Sequence, residues 1–190
     1  MTHFVILIII PRRVYLQGET AIKEYISQIL IPYDENLEVE AYIEKTKREL
    51  EEEFEHFKNS DQFKEYNYSN VEEYANNYLG LKLNEDGNII STYNENALFD
   101  WYEIGGRWDG ILTNNRQYSN QGFNWHNKHN TVANNCITVK KLIENYANNT
   151  EIRYIYSDII NTQGKLIQYK QLLEEEKDKD NYVVNLDCHI

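Results

Sequence analysis

The sequence predicts an α+β fold: a mostly antiparallel sheet with the first and last strands central, helices on one face, and a helical insertion. Three observations carry this prediction. The chain opens on a β-branched apolar run, Phe4–Ile10, and closes on a second strand-like run, "NYVVNLDCHI". Between them lie segments with apolar residues at helical spacing. No repeat recurs along the 190 residues, a length that suits one domain with a real core.

The first strand is too short to span a bilayer and lacks the basic flank and cleavage site of a signal peptide. After Pro11 and Arg12–Arg13, residues 19–30 form an amphipathic helix: Ala21, Ile22, Tyr25, Ile26, Ile29 and Leu30 share a face. Pro32 stops it. "PYDENLEVEAY" reads as an acidic linker. From Tyr42 to Lys58 the charges alternate at three- and four-residue spacing, which predicts a long solvated helix striped by Ile43, Leu50, Phe54 and Phe57. A further helix spans about 70–79, with Ser69 as cap, Glu72 three residues on, and Gly80 as its stop. These helices form an insertion or lid over about 41–80 within a single domain of 1–190.

Asp86–Gly87 marks a hairpin turn. Residues 114–135 read as loop. Thr138 caps a short helix over "ITVKKLIENYA". Residues 151–170 read as a hairpin turning near Gln163–Gly164, "EEEKDKD" as a solvated charge run, and 182–188 as the last strand.

Composition limits function. The chain carries 31 acidic against 19 basic side chains, a formal net charge of −12. Such a surface repels phosphates, so direct nucleic-acid binding is not expected, whereas a basic partner suits it. The two cysteines, Cys136 and Cys188, form no disulfide framework and no zinc-finger pair, and the chain reads as cytoplasmic, with no membrane partner.

The densest stretch is "FDWYEIGGRWDGIL", residues 99–112. Gly105–Gly106 predicts a tight hairpin turn, with Phe99 and Trp101 on one strand face and Asp100 and Tyr102 on the other. The glycines would let a ligand approach the backbone, and Arg107 offers a fork for a phosphate or carboxylate. Trp101, Gly105, Gly106 and Arg107 are therefore the candidate ligand-binding residues, although hairpin packing is the better reading of the aromatics and a salt bridge to Asp100 or Asp109 explains Arg107 equally well. No phosphate-loop spacing is present.

Other constellations are weaker. Asp34, Glu35 and Asn36 suit a hard cation or, preferably, a turn in which Asp34 binds its own backbone. Asp34 paired with Arg107 is a further possibility. Cys188 and His189 are strand neighbours facing opposite ways, so they cannot form a dyad, and Cys188 reads as buried and structural. His126 and His129 have a helical metal-ligand spacing within loop-like sequence; no metal or cofactor is expected. His3 and His56 show no partner. Asp34, Arg107, His126 and Cys188 are the remaining catalytic candidates.

The segments "THFVILIII", "IPYDENLEVEAY", "DWYEIGGRWDG" and "NLDCHI" together resemble a group of uncharacterised bacteriophage and prophage proteins. The resemblance touches both ends and the middle of the chain, and implies a mobile-element origin in a bacterial cytoplasm but no chemistry. Two function classes follow. One is an accessory protein that binds and inhibits a host factor, in the manner of anti-CRISPR proteins, with Glu51, Glu52 and Glu53 as partner-binding residues and a nucleic-acid-handling effector as partner. The other is a small hydrolase or nucleotide-binding enzyme with a pocket at the GGRW hairpin and His126 as base. A phage structural component ranks last.

Overall fold

The structure, a computed structural model, describes residues 2–66, 68–113, 131–148 and 158–190. It divides into two compact units: residues 1–37 with 95–190, and an inserted unit, 38–94.

The first unit holds a six-stranded mixed sheet, and the fold is α+β. The main path runs β4 (Trp101–Ile104), β8 (Tyr182–His189), β1 (His3–Ile10), β6 (Asp158–Ile160), β7 (Leu166–Ile167). The first and last strands are adjacent and antiparallel over their full length, from His3↔His189 to Ile10↔Tyr182. β1 and β6 pair in parallel, so the sheet is mixed. β5 (Cys136–Thr138) shares an edge of β8 with β4: β5 pairs residues 182–184, and β4 pairs 186–189.

Helices cover both faces of this sheet, which corrects the one-face expectation. The reason lies in β1, whose apolar run has no polar alternation. Ile6, Ile8 and Ile10 face one side and pack with Ile22, Ile26 and Leu30 of α2 (Glu19–Leu30). Val5, Leu7 and Ile9 face the other side, with Val139 and Leu142 of α7 (Val139–Asn148) and Leu172 of α8 (Tyr169–Glu175). A strand buried on both faces needs a layer on each. The shorter helices of this unit are α1 (Arg12–Tyr15) and α6 (Val132–Asn135).

The charge run before β8 is not wholly solvated. Glu176 is buried and accepts hydrogen bonds from Asn181 Nδ2 at 2.7 Å and Lys179 Nζ at 3.1 Å.

The inserted unit contains more than helices. Residues Tyr42–Lys45 form β2, paired with β3 (Ile89–Ser91), and the helix begins only at Lys47. Thr46 decides that boundary. Its side chain accepts from the Glu49 amide while Glu49 returns to the Thr46 amide, a capping box that starts α3 (Lys47–Lys58) and leaves Tyr42 and Ile43 extended. Two further helices follow, α4 (Asp61–Tyr66) and α5 (Val71–Glu73); the latter continues as a π-helix over Tyr74–Leu79 and ends at Gly80 with φ +70°. The cap of α5 is Asn70 rather than Ser69: Asn70 Oδ1 accepts from the Glu73 amide, and Glu73 accepts from the Ser69 amide. Leu50, Phe54, Phe57, Tyr74, Ala75 and Ile89 make a separate core.

Candidate functional site

The two motifs at 100–110 and 185–190 form one structure. β4 ends where the Gly105 amide donates to the Asn185 carbonyl, 3.0 Å away. β5 takes over the same edge of β8 one residue further along, so the chain must leave the sheet at once. Gly105 does this in a rare γ-turn, φ +75° and ψ −65°, and Gly106 follows at φ +49° into a 3₁₀ turn, Gly106–Trp108. The expected hairpin is therefore absent: the partner of β4 is β8, and Ile104 pairs with Leu186. Phe99 and Tyr102 meet edge to face in the α2-side core, while Trp101 points to the opposite face, in line with His189.

The turn is held by buried polar side chains. Asp187 Oδ2 accepts from the Arg107 amide at 2.9 Å, Asn135 Oδ1 accepts from the Gly110 amide at 3.0 Å, and Asn185 Nδ2 donates to the Trp108 carbonyl at 3.3 Å. Asn135 Nδ2 also donates to Asp109 Oδ1 at 2.6 Å and to the Thr131 carbonyl at 3.0 Å. Asn135, Asn185 and Asp187 are all buried. A buried backbone amide left unmet costs about 1–3 kcal/mol, so each side chain holds a part of the loop that would otherwise be unfavourable to bury.

The space beside each glycine, where a Cβ would sit, is filled by these residues. A Cβ on Gly106 would lie 2.3 Å from Asp187 Cβ, and one on Gly105 would lie 2.4 Å from Asn135 Nδ2. Glycine is required at both positions by φ and by these close approaches together.

The same face carries a row of rings. Register sets His3, His189 and Trp101 side by side across β1, β8 and β4. His189 stacks on Trp101 with centroids 5.3 Å apart and meets His3 edge-on at 5.0 Å. Each imidazole is oriented by a carboxylate: His3 Nδ1 lies 2.9 Å from Asp187 Oδ1, and His189 Nδ1 lies 2.7 Å from Asp100 Oδ1. His3 thus has a partner that sequence spacing, 184 residues apart, concealed. Desolvation acts to raise the pKa of Asp100, but the His189 hydrogen bond and charge outweigh it, helped by the Trp101 and Asp100 amides, and hold the carboxyl below its usual range. An ionised Asp100 requires the Nδ1–H form of His189. His189 Nε2 and Asn185 Oδ1 are buried and meet no hydrogen-bond partner among the described residues. Trp101 remains 45% exposed.

The remaining candidates fall elsewhere. Asp34 Oδ1 accepts from the Asn36 amide at 2.8 Å and from Asn36 Nδ2 at 3.1 Å, the turn geometry of an Asx residue; Asn36 Nδ2 also reaches the Asp100 carbonyl. Cys188 lies in the α2-side core, on the face of β8 opposite His189, and burial raises its thiol pKa. Cys136 is pushed up to about 12 by the same cause, and both thiols are free. Neither has thiolate character at neutral pH. His126 and His129 lie outside the described residues. Among the described residues no group of histidine, cysteine and acidic side chains is arranged to hold a metal.

In the inserted unit, the acidic trio divides. Glu51 and Glu52 are exposed and flanked by Lys47 and Arg48 at i−4. Glu53 turns inward: it takes a hydrogen bond from Lys45 and another from Tyr74 Oη, at 2.9 Å. Glu55, on the outer side, is exposed. Over residues 38–94 the sequence has 14 acidic and 6 basic side chains, a net −8 of the chain's −12.

The molecule is thus an α+β protein with a polar-locked turn on one sheet face and a highly acidic insertion. No family model, curated protein or solved structure matches it. No helix among the described residues is long and apolar enough to cross a membrane.

Proposed function

We infer that this chain is a binding protein that acts through its inserted unit on the basic, nucleic-acid-facing surface of another protein. In a bacterial cytoplasm this makes it an inhibitor of a host nucleic-acid-handling factor, of the anti-defence kind. The observation that carries the reading is the charge partition: two thirds of the net negative charge sits in 57 of 190 residues. A field concentrated in this way steers association with a basic surface and mimics the charge of the displaced polyanion. The raised pKa of both thiols, with Cys188 fully buried, also favours binding over nucleophilic chemistry.

The test is competitive capture. The tagged chain should retain a host protein that duplex DNA or RNA displaces, and raising the salt should weaken the complex. Reversing Glu51, Glu52 and Glu55 to lysine should abolish capture while the thermal melt stays near that of the parent. Capture that survives the reversals would overturn the reading. Glu53 is left out because it bonds inward.

A second reading, a small hydrolytic enzyme, is favoured by the carboxylate-oriented imidazole His189 beside the exposed Trp101. It requires that His189→Gln abolish a measured turnover while the fold persists.

A further inference from the structure

The inserted unit carries a continuous array of aromatic rings that runs from its core to its surface. Phe54 and Phe57 lie in the core of α3, and Tyr74 is buried beside them at 5.3 and 4.8 Å between centroids. Tyr78 stacks on Tyr74 at 5.4 Å and touches Phe57 at 4.6 Å. Tyr66 meets Tyr78 edge to face at 6.0 Å and stacks on Tyr68 at 5.9 Å with planes 4° apart. The array ends in the open: Tyr66 is 50% exposed and Tyr78 37%.

Two further features belong to this end. Tyr74–Leu79 is wound as a π-helix, an uncommon conformation frequently found at functional sites. Tyr78 Oη also donates to Gln62 Oε1 at 2.7 Å, which fixes its ring against α4. The exposed rings are therefore held in place before any partner arrives, and a partner loses little by ordering them. The helices of this unit also carry exposed carboxylates: Glu55 on α3, Asp61 and Glu65 on α4 with Tyr66, and Glu72 on α5.

We propose that Tyr66 and Tyr78 form the contact point of the inserted unit for arginine side chains of a basic protein partner. This rests on the binding reading above and adds the chemistry of recognition to it. Ring faces carry the negative lobe of the aromatic quadrupole and attract cations. A guanidinium stacks flat on a tyrosine while its edge bonds a carboxylate, whereas an ammonium is a compact, strongly hydrated point charge. Carboxylates alone attract both cations; carboxylates combined with fixed rings select arginine.

The experiment uses the full chain with all-arginine and all-lysine peptides of matched length, followed by calorimetry or tyrosine fluorescence. The arginine peptide should bind about tenfold more tightly than the lysine peptide, about threefold for each ring. Tyr66→Ala should cut that preference to about threefold without unfolding, because its ring is half in solvent. Tyr78→Ala should cut it likewise, and Tyr78→Phe, which keeps the ring, should retain it. Equal affinity for the two peptides in the parent overturns the proposal. A preference that persists undiminished in Tyr66→Ala assigns it to carboxylates and overturns it too. If the arginine preference fails but both peptides bind and the Glu51, Glu52 and Glu55 reversals weaken both, the acidic-surface reading stands alone. If neither peptide binds, both readings fall.

Discussion

The two units solve the same problem with different materials. The first unit buries polar groups: Asn135, Asn185 and Asp187 hold a turn of two left-handed glycines against the sheet. The inserted unit buries a cluster of aromatic rings, with Thr46 and Asn70 capping its helices and the half-buried Glu53 bracing Tyr74. A buried hydrogen-bond network is directional and fails as a whole when one member is lost, whereas an aromatic core fails by degrees. The first unit should therefore be brittle around Gly106, and the insertion tolerant.

Gly106→Ala should break the comparison open most sharply. It combines a positive φ with a Cβ placed on the Asp187 side chain, and should cost about 4 kcal/mol from strain and overpacking together. Denaturant unfolding measures it. Gly80→Ala is the control: its φ is also positive, at +70°, but it lies in the left-handed helical region with open space around it, so the cost should be about 1 kcal/mol.

Asp187→Ala should come next, at about 3 kcal/mol, because it removes the acceptor of the Arg107 amide and the carboxylate that orients the His3 ring in one step. A loss under about 1 kcal/mol would mean that the turn is held by the glycines and not by the network.

In the insertion, Thr46→Ala should cost about 1 kcal/mol through the capping box, seen as an earlier melt of α3. The Glu53 contribution should be smaller and pH-dependent. The Lys45 hydrogen bond, chiefly, and the Tyr74 hydroxyl depress its pKa against desolvation. A depressed carboxylate stabilises fully above its unfolded pKa, near 4.5, and the contribution fades as pH falls through the lower folded value. Since Glu53 is about a third exposed, the effect should stay under about 1 kcal/mol. Melts of Glu53→Gln and parent should differ at neutral pH and converge toward pH 3.

Cysteine modification separates the units least. Cys136 and Cys188 both belong to the first, and burial keeps both protonated. Cys188, which is fully buried, should not react with a thiol reagent at pH 8 until the first unit unfolds.

Local sequence was sufficient where a single stretch carries its own signal. The apolar run of β1, the helical spacing of 19–30, the turn at Gln163–Gly164 and the Thr138 cap are all legible without tertiary contact. Where two local signals compete, the sequence misleads: the charge pattern from Tyr42 to Lys58 is helical throughout, yet Thr46 and the β3 partner divide it. The GGRW turn was marked by its glycines, but its direction depends on where β5 takes over the edge of β8. That is a long-range fact, which no window of residues contains.

The sequence by itself determined that this is an acidic α+β protein with buried first and last strands, because apolar runs and periodicity act over a few residues. Only the tertiary structure decided that helices cover both sheet faces. It alone joined His3 to Asp187 and Asp100 to His189, and closed the glycine cradle around Asn135 and Asp187. Those pairings span up to 184 residues, and their energy depends on burial and register, which exist only once the sheet has formed.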